Sequence, residues 1–193
     1  MDLLHSFGIT RDQALQLLHD YIKSEGMIRH CLATEAVMRE LAGYFGEDQD
    51  FWGLTGLVHD LDIELTQADL SIHTLETEKI LRSAGIHEEA IEAIKMHNEA
   101  VGGKERTDRF HIALAAGETI TGLIMATALV YPDRKLTSVK SKSVVKRMKE
   151  KAFAAGVNRE TIRECEKIGI PLDQFAERCL NAMLPIAGQL GLA

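Results

Sequence analysis

Apolar side chains recur three and four residues apart along almost the whole chain, and no stretch sustains an alternation of apolar and polar residues. A period near 3.6 residues buries one stripe of a helix, whereas a half-buried strand needs a period of two. β-Branched clusters are few and prolines number only three. The pattern therefore predicts an all-α fold. At 193 residues, 46% of them hydrophobic, the chain is long enough to bury a sizeable core. It reads as a single domain over 1–193, with a core over about 27–128 and a C-terminal helical extension over about 133–193.

Start and stop signals divide the chain into helices. Thr10, with Gln13 three residues on, forms a capping-box pattern that opens a helix over 11–23, and Gly26 punctuates it. A helix over 27–44 places His30, Thr34, Val37 and Leu41 on one stripe, so His30 should face inward. Further helices are predicted over 50–60, 74–84, 88–101 and 109–131, broken at Gly85, Gly102-Gly103 and Pro132. In the extension, Val144, Val145, Met148 and Ala152 form an apolar stripe opposite Lys142, Lys146 and Lys149. Asn158 can cap a helix over 159–168 that Gly169 ends, and a last helix begins near Pro171.

Charge and cysteine usage narrow the function classes. The net charge is −7, which argues against a stable nucleic-acid partner, but 134–151 holds eight basic residues and only one acid, Glu150. That block offers a place for an anionic ligand. Three cysteines without C-x-x-C spacing make no disulfide framework, and the N-terminus has neither a basic leader nor an apolar secretory core, so a cytoplasmic location is expected. The weakly charged run 112–131 is about as long as a membrane span. Glu118, two glycines and three threonines make it a better buried core helix than a span, and no membrane association is expected.

The residues that carry chemistry are His59-Asp60, at the end of the apolar stretch 51–58, with His30, His73, His97 and Glu118. An ionised carboxylate buried among Ala115, Ala116, Ile120 and Leu123 needs a cation or a proton, and a metal ion would satisfy Glu118. His59 and Asp60 lie about 100° apart on a helix, so a helix end can aim both at one ion. Mixed imidazole and carboxylate donors suit manganese, iron, zinc, nickel or cobalt. His30, His59, Asp60 and Glu118 can hold one ion and His73 with His97 a second, with Asp60 bridging. Such a pair activates water and clamps phosphoryl oxygens.

This ligand pattern resembles the H…HD…D signature of the HD-domain metal-dependent phosphohydrolases, an all-helical superfamily. The resemblance covers roughly 27–128. His73, opening His73-Thr74-Leu75-Glu76, and His97, closing Ile94-Lys95-Met96-His97-Asn98, look like the additional histidines of dinuclear members. The segment from Gly117 and Glu118 to Ile124 is similar to the helix that carries the family's last aspartate. Glu118 stands where the family usually has Asp, which implies altered geometry or a bridging water. Members that cleave nucleoside monophosphates resemble H-D-x-x-E, whereas here Ile63 takes the third place after Asp60, with Glu64 one residue later.

The resemblance implies a hydrolase with one or two divalent ions, in which metal-activated hydroxide attacks a phosphoester of a small anionic substrate, with His59 and Asp60 at the catalytic centre. Lys140, Lys142 and Lys146 are candidates to neutralise substrate phosphate, or form a solvated helix face. Two rival classes stay open: a di-iron oxygenase with the same ligand set, and a metal-stabilised binding scaffold without turnover. Bland readings also stand beside the individual residues. His73 and His97 can cap helices or face solvent, and Glu118 can be protonated or pair with Arg106 or Arg109. Asp62 and Glu64 can orient a ligating histidine or simply be solvated. His111, seven residues before Glu118, lies too far along the helix to share its ligands. His5, His19 and His87 sit in polar surroundings, and Cys31 reads as a small buried residue.

Overall fold

The computed structural model describes residues 6–103 and 105–193, and within them every regular element is helical. The first helix, α1 (Arg11–Tyr21), opens with the expected capping box: the Thr10 hydroxyl accepts from Gln13 N and the Gln13 side chain accepts from Thr10 N. It buries Ala14 and Leu18. The two longest helices, α2 (Glu25–Phe45) and α7 (Arg109–Leu129), form the centre of the fold. On α2, Thr34, Val37 and Leu41 are fully buried, the stripe read from their spacing.

Small residues set how closely the central helices approach. α3 (Gln49–Leu57) lies on α2. A Cβ added at Gly56 would stand 2.9 Å from the Thr34 carbonyl oxygen and 3.0 Å from Met38 Cγ. Gly117 performs the same task on α7, where a Cβ would stand 3.1 Å from Val37 Cγ1. α7 is long and apolar enough to cross a membrane by length and composition, yet 67% of that window is buried within the fold. Its apolarity is that of a core helix packed on α2 and on α5 (Glu88–His97).

Several boundaries differ from the expectation. α3 ends at Leu57, so His59 and Asp60 lie in a run of turns that continues to α4 (Leu75–Ser83) rather than on the helix itself. The helix expected over 88–101 is interrupted by Asn98, whose extended backbone ends α5 and whose side chain accepts from Ala100 N to cap the short α6 (Glu99–Gly102). A side-chain acceptor beside the helix competes with the helical bond. In the basic block α8 (Ser141–Arg147) follows a short 3₁₀ turn over Leu136–Ser138; Val144 and Met148 are buried, while Ala152 is exposed in a turn beyond the helix.

The C-terminal segments close over the core. Asn158 caps α9 (Arg159–Arg163), which tightens into a 3₁₀ turn over Glu164–Ile168 and stops at Gly169, whose φ is +83°. Then α10 (Leu172–Met183) lays Phe175, Cys179 and Met183, all fully buried, toward α2. Residues from the first helix to Leu192 share one apolar cluster. All three cysteines are buried thiols.

Candidate metal centre

Four histidines and one aspartate converge from four parts of the chain: His30 on α2, His59 and Asp60 in the turns after α3, His73 just before α4, and His97 at the end of α5. The Asp60 carboxylate divides them. Its Oδ2 lies 3.4 Å from His59 Nε2 and 3.7 Å from His30 Nε2, while Oδ1 lies 3.1 Å from His73 Nε2 and 3.4 Å from His97 Nε2. The two imidazoles of each pair are close as well, at 3.3 Å between His30 and His59 and 3.2 Å between His73 and His97. Two donor groups result, each able to hold a metal ion, and Asp60 belongs to both.

Each histidine is oriented through its other ring nitrogen. His59 Nδ1 donates to Gly56 O at 2.8 Å and His97 Nδ1 donates to Ile94 O at 2.6 Å. A backbone carbonyl only accepts, so both protons sit on Nδ1. His73 Nδ1 donates to Asp62 Oδ1 at 2.7 Å. His30 Nδ1 meets the Thr121 hydroxyl at 3.0 Å; that hydroxyl gives its single proton to Glu118 O, so it accepts from His30. With each Nδ1 so engaged, all four Nε2 atoms face one another and the Asp60 carboxylate, and in their neutral forms the rings offer four lone pairs to a cation. Such packing of acceptors calls for positive charge between them, and divalent cations with imidazole and carboxylate donors fit.

The electrostatics of the metal-free protein agree. Burial pushes the pKa of fully buried His59 down to about 3. Burial opposes ionisation of Asp60, but the surrounding His59, His73 and His97 outweigh it and hold the carboxyl well below its usual range. Burial also works against charge on His73, yet its hydrogen bonds to Asp60 and Asp62 prevail and raise it to about 9. Without metal, His73 thus carries the positive charge that Asp60 and Asp62 demand.

Glu118 stands at the edge of this cluster. Its Oε2 is 3.7 Å from His30 Nε2, and Oε1 accepts a short hydrogen bond from Thr119. Burial raises its carboxyl above the ordinary value. Neither arginine considered as its partner pairs with it: Arg106 binds Glu99 and Glu164, each at 2.7 Å, and Arg109 faces Glu47. The acid therefore faces the His30 side of the centre.

Asp62 is more than a solvated neighbour. It is fully buried; besides His73 it accepts from Glu76 N at 3.1 Å and Thr77 N at 3.2 Å, and its own N–H donates to Thr77 Oγ1. Glu64 has a structural task instead, accepting from Lys23 N and Ser24 N at the start of α2. Thr121 and Asn98 had no sequence signal beyond adjacency to Glu118 and His97. Asn98 Nδ2 donates to Leu70 O and His73 O, pinning the turn that delivers His73. The following residue, Thr74, adopts φ +82°, an unfavourable region for a β-branched residue, and its buried hydroxyl has no partner among the described residues.

A cavity of about 570 Å³ opens onto His30, Asp60, His73, His97 and Glu118. Lys140, Lys142 and Lys146, the sequence candidates for phosphate neutralisation, are exposed and line none of it. The reason is packing: α8 turns Val144 into the core against α7 and α10, which directs the lysines to solvent. Lys146 instead borders a separate concavity beside Tyr131, Pro132 and Arg147. His19 is exposed, His87 caps α5 by accepting from Glu89 N, and His111 lies outside the cavity lining. His5 falls outside the described residues.

An all-helical core with a histidine-aspartate pair at the junction of converging histidines defines a class, and comparison with known families agrees. The HD domain family model matches residues 27–135, and the chain belongs to that family. The match spans every residue of the centre and stops before α8. No curated protein and no solved structure matches the chain significantly. Membership places the chain in a superfamily of metal-dependent hydrolases, and the clustered His and Asp residues are able to hold a divalent metal.

Proposed function

We propose that the chain is a phosphohydrolase that cleaves a phosphoester of a small anionic substrate, with His30, His59, Asp60 and Glu118 holding one divalent ion and Asp60, His73 and His97 a second. The observation that carries this reading is the split of Asp60, one oxygen turned to each histidine pair. Ions so held supply a water of lowered pKa and positive charge for the phosphoryl oxygens. The chain's own contribution is orientation: Gly56 O, Ile94 O, Asp62 and Thr121 fix the four rings before any ligand arrives. The cavity above receives the phosphoryl group, and Ile63 and Leu70 on its wall limit the surrounding water.

Asp60→Asn tests the reading. It keeps the shape of the side chain while removing the shared charge, and it should lose both ions and the hydrolysis of phenyl phosphate. Full turnover by a variant that binds no metal would refute the mechanism. Wild-type protein that holds its ions but hydrolyses no phosphoester would transfer the reading to an oxygenase or to a binding scaffold.

A further inference from the structure

The cavity over the metal centre is built from two sources. Its floor and one side come from the family region, whereas Gly156, Val157, Asn158 and Thr161 come from the extension beyond residue 135. This second wall is fixed in place. The Arg159 guanidinium gathers the carbonyl oxygens of Phe153, Ala154 and Val157 around itself, so the loop before α9 is folded about one cation. Val157 closes toward Gly122 of α7, where a Cβ would stand 3.6 Å from Val157 Cγ2. Asn158 spends its Oδ1 on Glu160 N and Thr161 N, and its amide nitrogen has no partner among the described residues. The wall therefore presents an apolar surface beside one hydrogen-bond donor.

Charge limits what can lie against it. Among the described residues lining the cavity there is no lysine or arginine, and the acids are Asp60, Glu99 and Glu118. Glu99 is already met by Arg106 at 2.7 Å. The positive charge available to a phosphoryl group at this cavity is therefore that of the ions themselves, held beside Asp60 and Glu118. A second or third phosphate would find no cation among the described residues of the wall. Resting on the phosphohydrolase reading above, we infer that Val157 and Asn158 determine specificity. The substrate is a monophosphate whose organic part is compact and uncharged, with an apolar face for Val157 and an acceptor for Asn158.

The test separates the wall from the chemistry. Manganese-loaded protein is assayed with phenyl phosphate, glycerol 2-phosphate and ATP, and phenylphosphonate binding is measured by calorimetry alongside metal content. Wild type should favour both monophosphates over ATP by about tenfold or more in kcat/KM, a discrimination of the size that unmet charge or a lost contact imposes. Val157→Arg should weaken phenylphosphonate binding, raise KM for phenyl phosphate more than it lowers kcat, and narrow the gap to ATP, all at unchanged metal content. Asn158→Ser keeps an N-cap acceptor and so the start of α9. It should raise KM for glycerol 2-phosphate and spare phenyl phosphate. Hydrolysis that favours ATP equally, or that leaves each KM unchanged in both variants, overturns the inference while the hydrolase stands. Absent hydrolysis with phenylphosphonate binding that still weakens in Val157→Arg overturns the hydrolase and keeps the wall. Absent hydrolysis together with absent or insensitive binding overturns both.

Discussion

Replacing Asp62 with asparagine alters one proton and should empty half of the metal centre. In the native protein the carboxylate accepts from three donors, Glu76 N, Thr77 N and His73 Nδ1. Asparagine has one oxygen and one NH2 group, and the two backbone donors of α4 decide which way it points. Its oxygen faces Glu76 and Thr77, its NH2 faces His73, and His73 must then accept at Nδ1 and carry its proton on Nε2. That nitrogen lies 3.1 Å from Asp60 Oδ1, where the second ion requires a lone pair. Loss of such a supporting partner weakens metal binding by about 10–100-fold. The fold should lose little, on the order of 1 kcal/mol, as charge-assisted hydrogen bonds become neutral ones. Asp62→Ala strands all three donors and should cost roughly 3–9 kcal/mol, at about 1–3 kcal/mol for each buried unsatisfied group. Manganese titration calorimetry of Asp62→Asn, with ring-nitrogen NMR of His73 to read the tautomer, checks the argument. Two ions bound at wild-type affinity, or a His73 still protonated on Nδ1 alone, would refute it.

Three further outcomes follow from the same geometry. In metal-free protein, His73 titrates near 9 when folded and near 6.5 when unfolded, so its stabilisation is complete below 6.5 and is lost as pH rises toward 9. His59, at about 3 when folded, acts oppositely and costs stability as pH falls below 6.5; the melting temperature of chelator-treated protein should therefore peak near pH 6.5 and fall on both sides. Arg106→Met leaves Glu164 and the carbonyls of Met96 and His97 without their buried cation, and urea denaturation should show a loss of about 3 kcal/mol. Gly56→Ala forces α3 away from α2 at a 2.9 Å contact with Thr34 O and moves the carbonyl that holds His59. It should cost roughly 1–3 kcal/mol and also reduce metal content.

Helical periodicity and caps made the architecture legible, because α1, α2 and α10 each bury a stripe and α7 is apolar on most of its surface. The junctions were harder. The turns after Leu57 are tertiary in origin, and at Asn98 a local cap on Ala100 N acts together with tertiary bonds: His59 and the Asn98 amide nitrogen answer to partners far along the chain. His30, His59, Asp60, His73 and His97 could be named from the sequence because their residue types already suit a metal and their spacing resembles a family. Asp62 carries the same chemistry but differs from a solvated acid only by a burial that His73 and α4 create. The lysines of the basic block illustrate the converse. Their charge suited phosphate, but the direction of α8 depends on where Val144 packs, and no local pattern reports that.

The account rests on Asp60 serving two ions at once. Elemental analysis of manganese-loaded, desalted protein tests this most directly. The predicted result is about two ions per chain, falling to none or nearly none in Asp60→Asn. One ion per chain in the wild type, or two retained by the variant, would contradict a shared carboxylate.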